Sequence, residues 1–133
     1  MKRGQISTEY MILIGFILFL VTSMIGMAFV YVLDIKDSVK FNQVEKFADK
    51  LISSAESVFY SGEPSKITIN LYLPEGIENI QIINQDVVFT ISSNSGQNII
   101  AYESNVPIQG TISPNPGLKK IVLTANANSV VIS

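Results

Sequence analysis

From Tyr10 to Leu33 the chain carries neither a charge nor a proline. At 1.5 Å rise per residue a helix over this run spans roughly 36 Å, enough to cross a hydrocarbon core of about 30 Å with some tilt. Gly15, Thr22, Ser23 and Gly26 are its only small or weakly polar interruptions. Hydrophobic residues make up 47% of the 133-residue chain, and the excess is concentrated in this block. A buried core helix of such length does not fit so small a domain, so the run predicts a membrane span.

No helix breaker separates Leu33 from Asp34, and the character of the sequence changes there without a stop. Apolar residues then fall at Ile35, Val39, Val44, Phe47, Ala48, Leu51, Ile52, Ala55, Val58 and Phe59, spaced by three and four. Lys36, Asp37, Lys40, Glu45, Lys46, Asp49, Lys50 and Glu56 take the other face, which is the pattern of an amphipathic helix. One long helix is therefore expected to leave the membrane. It should end at Ser61-Gly62-Glu63-Pro64, where a C-terminal glycine is followed closely by a proline.

From Lys66 onward the period changes to two. Ile67, Ile69, Leu71 and Leu73 alternate with Lys66, Thr68, Asn70 and Tyr72, which turns one face inward. Val87, Phe89 and Ile91 repeat the pattern, as do Ile121 with Leu123 and Val130 with Ile132; Ile80 with Ile82 and Ile100 with Tyr102 are shorter runs. Turn residues separate them at Pro74-Glu75-Gly76, Asn84-Gln85-Asp86, Ser93-Asn94-Ser95-Gly96 and Pro114-Asn115-Pro116-Gly117. The expectation is an α+β fold: a long hydrophobic and amphipathic N-terminal helix, then a small antiparallel β-domain of about five to seven strands. The stripe from Val44 to Phe59 is its natural core partner.

Several functions are excluded or disfavoured by composition. The chain has no Cys, hence no disulfide framework, thiolate metal site or cysteine nucleophile, and no His, the commonest general base. Glu75, Glu78, Asp86 and Glu103 are scattered among turns without shared spacing, and no Gly-rich phosphate loop occurs, so neither an enzyme nor a cofactor is expected. Net charge is -2, and its most basic residues, Lys2 and Arg3, adjoin the apolar block. No patch could neutralise phosphates, and nucleic-acid binding is not expected.

The start of the chain carries the informative motif. Met1-Lys2-Arg3-Gly4 is a short basic leader, followed by Gln5-Ile6-Ser7-Thr8-Glu9-Tyr10-Met11 and then the apolar block. An ordinary secretory signal has its small-residue cleavage site after the apolar stretch; Leu33-Asp34-Ile35 is no such site. Lys2, Arg3, Gln5, Ser7, Glu9 and Tyr10 instead resemble the archaeal class III signal peptide, with its Gln-x-Ser-x-Glu-Tyr pattern, found in type IV pilins. The resemblance covers about the first 33 residues.

It implies cleavage by a prepilin peptidase between Gly4 and Gln5, with the hydrophobic helix kept on the mature chain. The domains would be a cleaved leader at 1–4, a transmembrane or filament-core helix at 5–33, its amphipathic continuation at 34–62, and a β head at 63–133. Implied partners are further copies in a helical filament, the peptidase, a pilus assembly ATPase with its membrane platform, and lipid before assembly. The precursor would lie in the cell membrane with Lys2 and Arg3 cytoplasmic, and the assembled subunit outside the cell. Lys36, Lys40, Lys46 and Lys50 run against that positive-inside bias, but folded domains translocate largely regardless of charge. Archaellins lack the Gln-x-Ser-x-Glu-Tyr stretch, which favours an adhesion-type pilus.

Glu9 most needs an explanation, because a carboxylate just inside an apolar helix is costly in lipid or a dry core unless paired. The resemblance gives it the freed amine of Gln5 on a neighbouring subunit as partner. A plain solvated carboxylate near a helix start is the bland alternative. At the level of the whole chain, the alternatives are a non-polymerising membrane-anchored protein with a ligand-binding β-domain, or a minor pilin.

Overall fold

The computed structural model describes the backbone from Lys2 to Ser133 and the side chains from Ser7 onward. Its first element is a single helix, α1, covering Lys2–Ser61. Leu33 and Asp34 pass without a break, because nothing there opposes helical geometry. The helix stops where Gly62 takes a positive φ of 74°, and the Gly62 amide donates to the Phe59 carbonyl at 3.0 Å. A glycine in this left-handed conformation closes a helix without a Cβ penalty.

The chain divides into an N-terminal unit ending at Lys36 and a second unit, Asp37–Ser133. Seven strands in the second unit form two sheets. They are β1 (Lys66–Leu73), β2 (Ile77–Ile83), β3 (Asp86–Ser93), β4 (Gly96–Glu103), β5 (Ile108–Gly110), β6 (Gly117–Ala125) and β7 (Val130–Ile132). One sheet has the order β1-β6-β7-β5 and the other β2-β3-β4. Asn84 and Gln85 connect β2 to β3, with Asn84 at φ 60°, and Asn94 and Ser95 connect β3 to β4. Asparagine tolerates the left-handed region better than most residues, which explains why the first turn carries it.

The fold is α+β and its β region is rich in antiparallel pairs, but one pair departs from the expected pattern. β5 runs parallel to β7, with Ile108 opposite Val130. Gly110 permits that approach: it sits at φ 135°, and a Cβ there would overlap the carbonyl oxygen of Ile132.

The core of the second unit lies where the amphipathic half of α1 meets the inner faces of the sheets. Val44, Phe47, Ala48, Leu51, Ala55 and Val58 are buried with Ile69, Leu73, Val87, Phe89, Ile91, Ile121, Leu123, Val130 and Ile132. Phe89 is fully buried and meets two rings edge-on, Phe47 at 6.0 Å and Tyr102 at 5.9 Å between centroids. Such T-shaped pairs add to the stabilisation from burial alone. Two members of the helical stripe, Ile35 and Val39, are exposed, and so is Ile67 at the start of β1. Buried Ser104 is satisfied locally: its hydroxyl donates to the Val106 carbonyl at 3.0 Å and accepts from the Val106 amide at 3.3 Å.

Tyr102 stands at the margin of this core. Burial, reinforced by the negative charges of Glu45 and Asp49, raises its phenol above the ordinary value. The neutral phenol is thus the form the folded state favours. Its contribution to stability is complete below about pH 10, the unfolded value, and is lost as pH rises through the higher folded value. Tyr102→Phe should therefore flatten the alkaline loss of stability above about pH 10, as read by denaturant unfolding of wild type and variant across that range.

Candidate functional site

The leader motif lies on the first turns of α1. Gly4 and Gln5 fall within the helix. Met1 and the side chains of Lys2, Arg3 and Gln5 lie outside the described residues. Ser7, Glu9 and Tyr10 are exposed on the helix surface, and Glu9 has no salt-bridge partner among the described residues. The five residues between Glu9 and Gly15 are Tyr10, Met11, Ile12, Leu13 and Ile14, so the helix offers no cation on the side that follows Glu9.

Beyond Glu9 the helix is long and apolar enough to cross a membrane. The large side chains from Tyr10 to Leu33 all face outward, among them Met11, Phe16, Phe19, Met24, Phe29 and Tyr31. Its two aliphatic hydroxyls, Thr22 and Ser23, do not make a polar stripe. Thr22 donates to the Leu18 carbonyl at 2.8 Å and Ser23 to the Phe19 carbonyl at 2.8 Å, each folding its polarity back onto the helix. In apolar surroundings this return bond is what makes a hydroxyl tolerable. Gly15 and Gly26 have no heavy atom within 4 Å of where a Cβ would sit, so both leave room on the helix surface.

A second set of polar contacts lies in the second unit, and nothing in the local sequence marks it. Asp37 accepts from the Asn94 amide at 3.0 Å, and Lys40 donates to the Ser92 carbonyl at 2.7 Å while pairing with Asp37 at 3.4 Å. Further along the helix, Glu56 accepts from the Asn105 side chain at 2.7 Å and from its backbone amide at 3.3 Å. These charges were expected simply to face solvent. In fact they fasten α1 along β4, from the turn before it to the turn after it. Partners 49 to 57 residues apart leave no spacing that a sequence could betray.

Among the described residues no group of three or more acidic side chains is placed to hold a metal ion. No family model, curated protein or solved structure matches this chain.

Proposed function

We propose that the chain is a pilin, the structural subunit of an archaeal type IV adhesion-type pilus, cut after Gly4 by a prepilin peptidase and assembled through its N-terminal helix. The observation that carries this reading is the pairing of the leader motif with an apolar helical surface that continues, in one element, into a folded head. An exposed surface of that extent has to be covered by lipid or by protein. A helix retained after cleavage can exchange the first covering for the second.

In this scheme the membrane stores the subunit, and assembly transfers the face from Tyr10 to Leu33 into contact with neighbouring helices. Lipid and neighbour are equally apolar, so the hydrophobic effect does not choose between them; close packing does. Glu9 then supplies specificity. Its carboxylate is costly in a dry bundle until it meets a cation, and the amine freed at Gln5 is one. The β head provides the outer surface for adhesion. A membrane anchor that does not polymerise shares the span and the head, but needs neither cleavage at Gly4–Gln5 nor a carboxylate at Glu9.

Gly4→Val tests the processing step. The branched side chain should block the peptidase, so that the full-length precursor accumulates in the membrane and the shorter chain disappears, as resolved by intact mass. Normal mature-size protein from the variant would refute a cut at this bond.

A further inference from the structure

The two sheets present four outer edges, and they are not equally guarded. β2 carries a register shift at Ile77/Asn79, and β5 is only three residues long. Bulges and short edge strands are established ways to prevent an edge from recruiting another strand. β1 and β4 have neither device. Each is eight residues long and free of proline, and each carries its single charge at one end, Lys66 on β1 and Glu103 on β4. Among the described residues no strand pairs with the outer edge of either.

The side chains on these strands are also incompletely covered. On the inward row of β1, Ile69 and Leu73 are buried, yet Ile67 is 39% exposed and Leu71 only half-buried. On β4 the inward row, Ile100 and Tyr102, is half-buried, while Ile99 on the outer row is 70% exposed. Open clefts flank β1 on the side of the helix. One of about 200 Å³ is lined by Gln43, Lys46, Phe47, Leu71 and Tyr72, and one of about 300 Å³ is lined in part by Ser57, Lys66 and Ile67.

We propose that β4 of one copy receives β1 of a second copy as an antiparallel neighbour, with Lys66 opposite Glu103 and Leu73 opposite Gly96. The sheet β2-β3-β4 of one head then continues into β1-β6-β7-β5 of the next. The proposal rests on the reading of the chain as a self-assembling subunit. Length, face and charge agree in this one register. Ile67 meets Tyr102 and Ile69 meets Ile100 on the inner face, finishing the burial that each copy leaves incomplete. Thr68 meets Ala101, and Asn70 meets Ile99, on the outer face. Lysine faces glutamate at the end, and no like charges are opposed.

Strand direction supports the same arrangement. Asp37 reaches the turn before β4 and Glu56 the turn after it, so this part of α1 runs parallel to β4. Gln43 and Phe47 lie near Tyr72, and Ser57 and Ser61 near Lys66, so it runs antiparallel to β1. Antiparallel pairing of β4 with the second copy's β1 therefore sets the two helices pointing the same way. A contact between two different edges leaves one of each still free, so it propagates instead of closing on a dimer.

Because the chain contains no cysteine, cross-linking has no background. Thr68→Cys and Ala101→Cys, both exposed positions, are introduced together into the full chain in its native membrane. The sample is then treated with an oxidant or a short thiol-bridging reagent, and filaments are scored by electron microscopy. A ladder of dimers, trimers and larger species is expected from the double variant. Neither single variant should give it, nor should the off-register pair Thr68→Cys with Gln97→Cys. Filaments without a ladder would overturn the strand pairing and leave the pilin reading standing. A ladder without filaments would uphold the pairing and count against the pilus. A dimer from Ala101→Cys alone would mean that two β4 edges meet, and would overturn the proposal.

Discussion

Glu9→Gln is expected to leave the chain in the membrane and to reduce filament yield at least about tenfold. The span from Tyr10 to Leu33 is untouched by this change, so insertion has no reason to fail. In the proposed filament the carboxylate answers a buried amine, and removing one partner of a buried pair costs roughly 3–5 kcal/mol because the other is left uncompensated. About 1.4 kcal/mol already corresponds to a factor of ten in an equilibrium. Glutamine keeps the shape and hydrogen-bonding capacity but not the charge, which separates an ionic role from a packing one. The readout is the amount of subunit in sheared extracellular material against the amount in membranes. An unchanged ratio would remove Glu9 from the mechanism and leave it as a solvated carboxylate near a helix start.

Phe89→Ala is expected to be the most damaging single change in the second unit. Phe89 is fully buried and sits edge-on to both Phe47 of α1 and Tyr102 of β4, so it joins the helix to the sheet at one point. Truncating a buried phenylalanine costs roughly 3–5 kcal/mol. A domain of this size is stable by about 5–15 kcal/mol in total. Thermal unfolding of the detergent-solubilised chain should begin more than about 12 °C earlier than in wild type, taking at least about 4 °C per kcal/mol. Leu118→Ala is the comparison: Leu118 is 74% exposed, and its loss should change stability by no more than about 0.5 kcal/mol. Equal effects of the two substitutions would mean that the core is not organised around Phe89.

These two residues also show what the sequence could reveal. Phe89 was legible as an inward position because Val87, Phe89 and Ile91 alternate, and the structure buries all three. The continuous helix was legible because no breaker lies between Tyr10 and Ser61, and its end because Gly62 and Pro64 follow. By contrast, β5 left no local mark. Three residues, Ile108–Gly110, form a strand only because a distant segment, Val130–Ile132, lies beside them in parallel. Ile35 and Val39 fit the helical spacing but lie outside the core, since periodicity gives the face of a helix and not how far along it a head extends. Ile67 fits its strand in the same way and stays exposed because it sits at an edge. At the candidate site, Glu9 stood out as the charge at the N-terminal border of the apolar run, whereas Asp37, Lys40 and Glu56 could not be told from solvated residues until their partners were in place.

A pilin is both cut and polymerised, and an anchor is neither. Intact-mass and N-terminal analysis should be made on protein from the native host, taken separately from membranes and from sheared extracellular material. A chain beginning at Gln5 in the sheared fraction is the predicted result. A chain beginning at Met1 and found only in membranes would contradict the account, and would make the protein an anchor whose β-domain meets its ligand without assembling.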